Sequence, residues 1–313
     1  MRLFTGLRAL PHPPRATAVT IGVFDGVHRA HQRLVRSTAA FARGLRGLSV
    51  VVTFHPDPHL VLDPAHAPPA LMPLDARIQA LGELGVDWIW VIPFTKRFAR
   101  TPAETFIRQV ISARLNARVL VVGESFAFGH SRRGTQATLR WLGAELGLRV
   151  RAVPNVRRGG EPISSSRIRR LIAAGRLAEA RRLLGRAPAL YGTVVRGAGR
   201  GRTLGVPTAN IALNASTIPP RGVYAVTVAV GARRYPGVMN LGVRPTFGAG
   251  PLVCEVHLLD LAPSRSLLTR RVAVLLSRRL RSERCFRSPQ ALVRQIRRDI
   301  SRARRMFARN PLR

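Results

Sequence analysis

Five short, β-branched and almost wholly apolar runs punctuate the first half of the chain: AVTIGVF (18–24), LSVVVTF (48–54), DWIWVI (87–92), RVLVVG (118–123) and LRVRAV (148–153). Runs of this kind suit strands covered on both faces, since polar alternation is needed only where one face meets water. Helical patterns lie between them, near 29–43, 75–84, 102–114 and 134–146. The third has Thr101 as N-cap, Pro102 at its first position and then Glu104. Such alternation predicts a parallel sheet with right-handed crossovers. Ligands of these sheets bind beyond the carboxyl ends of the strands, and the turn Phe24–His31 lies at one such end.

Two more helical patterns, about 165–174 and 176–184, complete this half. The texture then changes to the Gly- and Pro-rich GRAPALYGTVVRGAGRGRTLGVP (185–207). Segments 222–242, 251–261 and 271–280 read as successive strands without helices, predicting an antiparallel barrel or sandwich. A final helix follows: Ser288 caps it, Pro289 comes next, and Leu292, Ile296, Ile300, Ala303 and Phe307 share one face. The expected fold class is α/β, with a parallel-sheet domain at 1–186 and an antiparallel β-barrel domain with a terminal helix at 187–313.

At 313 residues the chain has room for two cores. No segment reads as membrane-spanning, and the N-terminal stretch, broken by Arg and Pro, has no leader-like apolar core. Cys254 and Cys285 form no metal motif or disulfide framework. A reducing cytoplasm is therefore expected. The formal charge of +37 comes almost entirely from arginine, Lys96 being the only lysine, and it is dispersed without long basic runs. An arginine-rich codon usage explains this pattern better than a dedicated nucleic-acid site does. Nonspecific, salt-sensitive contact with polyanions is expected, and specific nucleic-acid recognition is not.

In GVFDGVHRAHQRLV (22–35), His28 and His31 share one face of a helix's first turn. Unpaired backbone N–H groups and the positive end of the helix dipole point the same way, which makes an anion site. Imidazole donors there suit nucleotidyl transfer, where negative charge moves onto a leaving pyrophosphate. The stretch resembles the HxGH motif of bacterial bifunctional riboflavin kinase/FAD synthetases, and GEPISSSRIRRLIAAG (160–175) resembles their ISSSxIR motif. The resemblance implies an ATP site at Gly22, Phe24, Asp25, His28, His31, Ser164, Ser165, Ser166 and Arg167, with Arg169 close by. It also implies a flavin-side loop in VGESFAFGHSRRGT (122–135), at Ser125, Phe126 and Phe128. The chain departs from the family at Ala30 (usually Gly), at Ser125 (usually Asp) and at His55 and Asp57, which look exchanged. These departures motivate one alternative, an enzyme whose kinase half alone is active. The charge motivates another, an RNA-binding protein on a former enzyme fold.

GTVVRGAGRGRTLGVPTANIAL (192–213) places several glycines between two strand candidates, enough for backbone N–H groups to wrap a polyphosphate. Thr208 and Asn210 follow on one side of an extended segment; their hard oxygen atoms suit Mg²⁺. The whole string resembles the riboflavin kinase signature GxVxxGxxxGRxLGxPTAN, and the resemblance continues through EVHLLD (255–260) to the last helix. It implies ATP binding by Gly197, Gly199, Gly201, Arg202, Gly205, Pro207, Thr208 and Asn210, with Mg²⁺ at Thr208 and Asn210. Glu255 becomes the general base on the ribityl hydroxyl. After this strand, LAPSRSLLTRR (261–271) replaces the family's Gly- and Tyr-containing flavin loop. The expected substrates are riboflavin, FMN and ATP, with Mg²⁺ accompanying ATP and no tightly bound prosthetic group.

Overall fold

A computed structural model describes residues 1–7, 10–13, 15–197, 205–214, 216–243, 252–259 and 267–309. The chain forms two compact units: Met1–Pro68 with Leu74–Ser165, and Pro69–Pro73 with Ser166–Arg313.

The first unit runs β1 (Arg2–Thr5), β2 (Thr17–Ile21), α1 (Arg29–Gly44), β3 (Leu48–His55), α2 (Pro58–Leu62), α3 (Leu74–Gly82) and β4 (Trp88–Pro93). It continues with α4 (Lys96–Ala99), α5 (Ala103–Thr105), a π-helical stretch (Phe106–Ser112), α6 (Ala113–Leu115), β5 (Ala117–Gly123), α7 (Gln136–Leu146) and β6 (Arg149–Val153). A small hairpin of β7 (Arg157–Arg158) and β8 (Glu161–Pro162) precedes α8 (Ser165–Ala173), which starts on the unit's last residue. Six strands form a parallel sheet in the order β1-β4-β3-β2-β5-β6. The central strands β2, β3 and β4 are buried nearly end to end, as their unbroken apolar runs predict. Leu34 and Val35 of α1, with Leu139 and Leu142 of α7, are among the buried helix residues.

Three details differ from the sequence reading. LRVRAV is an edge strand with Arg149 and Arg151 in water, so it is not covered on both faces. RLFT (2–5), too short to read as a strand, is the opposite edge, paired to β4. The helix expected to be capped by Thr101 begins one residue later, with Pro102 at the N-cap and no side-chain cap bond; the Thr101 carbonyl instead accepts from His130 N–H at 3.0 Å.

The second unit contains α9 (Leu177–Leu184) and strands β9 (Ala189–Val195), β10 (Ala209–Leu213), β11 (Gly222–Val230), β12 (Arg233–Val243), β13 (Leu252–Leu258) and β14 (Arg271–Arg281). They close an antiparallel barrel in the order β10-β13-β12-β11-β14-β9, which rules out the sandwich. Tyr224, Val226, Met239, Leu241, Cys254, Val256 and Val274 fill its interior. The terminal helix α10 (Pro289–Arg309) lies on the outer surface, with Ala303 fully buried and Ile300 and Phe307 packed beside Val223, Ala225, Val238 and Leu280. Its Ser288 hydroxyl accepts from Ala291 N–H at 3.2 Å, the cap read from sequence.

Asp299, the only acid on α10, pins that helix: Arg281 Nε donates to its Oδ2 at 2.9 Å and Gln295 Nε2 to its Oδ1 at 2.9 Å. Removing one partner of a buried ion pair strands the other's charge and costs several kcal/mol. Arg281 is partly relieved by its bond to Ser282 O and by the Phe286 ring under its guanidinium. Asp299→Ala is therefore expected to cost about 2 kcal/mol, read as an earlier urea transition of the barrel signal.

Candidate functional site

In the first unit, the carboxyl end of β2 turns sharply into α1. Phe24 (φ +55°), Gly26 (φ +81°) and Val27 (φ +37°) all adopt left-handed backbone. That conformation is costly for a β-branched residue such as Val27, about 1–3 kcal/mol per residue. The turn persists because it is over-determined. Val27 N–H donates to Phe24 O (3.0 Å), Gln32 Nε2 to Val27 O (2.9 Å) and Thr53 Oγ1 to Val23 O (3.2 Å). Phe24, Asp25, Val27 and His28 are buried. Gly22 faces the Phe24 ring, which a Cβ there would approach to 3.2 Å.

His28 is the N-cap of α1, and its Nδ1 accepts from His31 N–H at 3.4 Å. With Nδ1 as acceptor, the proton of the neutral ring lies on Nε2, leaving that nitrogen as the donor. The His28 and His31 rings stack at 3.6 Å between centroids, 16° from parallel, and the Phe24 ring meets His31 edge-on at 5.2 Å. Ser165 Oγ donates to Asp25 O at 2.8 Å, so the serine run and the histidine turn, 140 residues apart, meet. Ser164 is exposed; Ser166, Arg167 and Arg169 belong to the second unit, where Arg169 Nε donates to Pro69 O at 2.7 Å. Ala30 lies within the first turn of α1, where alanine favours the helix over glycine by about 1 kcal/mol.

Ser125 is exposed, whereas Phe126 and Phe128 stack at 5.4 Å. From Phe128 a file of rings runs through Phe106 and Phe98 to Phe54, with successive centroids 6.0–6.3 Å apart. Asp57 caps α2, accepting from His59 N–H at 2.9 Å. Burial, and secondarily the Arg77 cation, hold the His55 imidazole below its ordinary range. Arg77, within the helical pattern read at 75–84, is not singled out by the sequence.

In the second unit, Asn210 of β10 lies opposite Glu255 of β13, which in turn lies opposite Asn240 of β12. Cys254 and Val256 point into the barrel, so these three residues form a row on its outer surface. Burial, with Glu255 adding to it, pushes the Cys254 thiol up to about 12. The Asn210 amide packs directly on Gly197; a Cβ at that glycine would overlap it. Gly205 is left-handed (φ +72°). Pro207 O and His257 Nδ1 are 2.8 Å apart, tying the Pro207–Thr208 strap to the strand that carries Glu255. His257, two residues from Glu255, is the second residue missed; its signal was the side it shares with Glu255. Gly199, Gly201, Arg202 and residues 261–266 lie outside the described residues.

Among the described residues no group of three or more His, Cys, Asp or Glu could cage a metal ion. Thr208 and Asn210 carry hard oxygen atoms of the kind Mg²⁺ takes when it arrives on nucleotide phosphates with its waters. Among the described residues, no helix is long and apolar enough to cross a membrane.

A parallel α/β unit with imidazole and hydroxyl donors near helix N-termini, followed by a barrel that sets a carboxylate beside two asparagines on neighbouring strands, suits a two-module nucleotide-dependent transferase. The FAD synthetase family matches residues 10–167 and the riboflavin kinase family residues 184–307. Relatives named bifunctional riboflavin kinase/FMN adenylyltransferase are 38% identical in Escherichia coli K12 and in Pseudomonas fluorescens, each covering 98% of both chains. The Bacillus subtilis relative of that name is 36% identical over 93% of each. A crystal structure described as a macrolide-efflux protein from Streptococcus pneumoniae has the same fold, with a TM-score of 0.86 and 31% identity over 97% of this chain and 99% of that one. The chain belongs to the bifunctional riboflavin kinase/FMN adenylyltransferase family, and it is an enzyme with both transferase modules.

Proposed function

We propose that both modules of this chain are catalytically intact, residues 1–186 carrying adenylyl transfer and 187–313 the kinase. The kinase phosphorylates riboflavin. Glu255 takes the proton of the ribityl hydroxyl as its oxygen attacks the γ-phosphorus of ATP, and ADP leaves with the electron pair of the broken P–O bond. Thr208 and Asn210 hold Mg²⁺, whose charge offsets that of the phosphates. Gly197, Gly205 and Pro207 belong to the segment that covers the phosphates in this reading, and the packing of Asn210 on Gly197 supports their part in it; Gly199, Gly201 and Arg202, expected in the same role, lie outside the described residues.

In the adenylyl step an oxygen of the FMN phosphate attacks the α-phosphorus of a second ATP, and pyrophosphate departs. The donors for the developing charge are His28 Nε2–H, His31, Ser165 and the backbone at the start of α1; Arg167 is assigned to the site by the family motif alone. Gly22, Phe24 and Asp25 shape the turn, Ser164 precedes the serine that bonds to it, and Ser125, Phe126 and Phe128 supply the flavin side. Neither step needs a covalent enzyme intermediate. The observation carrying this reading is the bond from Ser165 Oγ to Asp25 O, which unites the two motifs despite the changes at Ala30 and Ser125. Incubating riboflavin with ATP and Mg²⁺ is expected to yield FMN first and FAD later, with one pyrophosphate per FAD. Accumulation of FMN without FAD would reduce the protein to a kinase.

The free cysteines Cys254 and Cys285 support a cytoplasmic location. Nonspecific polyanion contact has a natural locus in a cavity of about 320 Å³ between β14 and α10, lined by Arg278, Arg302, Arg305 and Arg309 over Leu280 and Met306.

A further inference from the structure

Arg77, on α3, is buried to 5% exposure, yet packing alone gives no reason for a guanidinium there. Its Nη1 donates to Val23 O at 2.6 Å and its Nη2 to Phe54 O at 2.9 Å. Since Ile21 pairs with Val52, these carbonyls sit side by side just past the paired ends of two adjacent parallel strands. That edge is where such sheets bind ligands. Val23 leads into the strained Phe24–Val27 turn that presents His28. Phe54 ends the ring file that reaches Phe126. One rigid fork thus clamps both.

The clamp carries a cost. Arg77 Nε is buried without a hydrogen-bond partner among the described residues, a loss of about 1–3 kcal/mol for such a group. Burial also disfavours the cation, partly offset by Asp25 and then Asp57. A leucine or methionine would avoid these penalties but would leave the Phe54 carbonyl without this donor. What the planar guanidinium alone supplies is one rigid link between the two carbonyls.

We infer that Arg77 is a positioning residue for adenylyl transfer, fixing the histidine turn relative to the aromatic flavin side through the Val23 and Phe54 carbonyls. This rests on the proposed adenylyltransferase site. A two-pronged donor is required because lysine offers a point charge that cannot span both carbonyls in a fixed plane. A misplacement of about 1 Å in such a site can cost about a hundredfold in rate. The loss falls on kcat more than on KM, because the affected donors act most strongly on the transition-state charge.

The test compares wild type, Arg77→Lys and Arg77→Met in the full chain, measuring FMN-to-FAD and riboflavin-to-FMN rates separately. Arg77→Met is expected to lower the FAD kcat about 10- to 100-fold, with KM for ATP within about threefold and riboflavin phosphorylation unchanged. Arg77→Lys should recover part of that loss. If Arg77→Met does not fold, Arg77→Lys alone decides, through its kcat-to-KM split against the unchanged kinase rate. Full FAD activity in a folded variant, or a rise in KM with kcat intact, overturns the positioning role. Absence of FAD from the wild type would instead sink the underlying site.

Discussion

Glu255→Gln is expected to cut conversion of riboflavin to FMN severely while supplied FMN still becomes FAD. The substitution keeps the side chain's length and its hydrogen-bonding reach beside Asn210 and Asn240, so the cross-strand row of the barrel survives. Only the ability to take a proton is lost. A primary alcohol is a poor nucleophile at neutral pH, and a positioned general base contributes about 10²–10⁴-fold. The expected fall in riboflavin phosphorylation is therefore at least about a hundredfold, with adenylyl transfer within about twofold because the first unit keeps all its donors. Separating riboflavin, FMN and FAD chromatographically in two half-reactions reads this directly. Equal loss of both activities would show that the two steps share a site.

Much of this architecture was legible because it rests on local periodicity. The central strands announced themselves by apolar runs, since burial on both faces leaves no polar positions to confuse the pattern. The edges were not legible. RLFT is too short for periodicity, and LRVRAV carries enough Val and Leu to pass for a buried strand until pairing leaves it at the rim. Closure of the barrel depends on long-range pairing of β9 with both β10 and β14, which no local pattern encodes.

The candidate sites show the same division. His28, His31 and the serine run stand out because imidazoles and hydroxyls clustered at helix starts suit anion binding, beyond the capping that His28 provides and the bond that Ser165 makes. Arg77 and His257 did not stand out. An arginine in an arginine-rich chain carries no contrast, and His257 reads as a strand residue until its ring meets Pro207 O. Both act on backbone carbonyls far away in sequence. Residues that position other groups are thus the hardest to read from a single chain.

His28→Asn separates the two roles that residue 28 combines. As N-cap, His28 accepts from His31 N–H. In the proposed adenylyl step its Nε2–H donates to a phosphate oxygen, and only this second role would belong to the chemistry. Asparagine is among the best N-caps, so the start of α1 is retained; alanine there would add about 1 kcal/mol of helix destabilisation and blur the result. Asparagine is also shorter than histidine, so its amide falls short of where the ring nitrogen donates. Losing one donor aimed at transition-state charge costs about 10²–10³-fold in rate. His28→Asn is accordingly expected to slow FAD formation by that factor and to leave FMN formation unchanged, so that FMN accumulates from riboflavin and ATP. Thermal unfolding should stay within a few degrees of wild type, since the cap survives. A variant that still makes FAD at the wild-type rate would mean that the stacked imidazoles are a structural feature of the turn, and that the adenylyl group is stabilised by other residues.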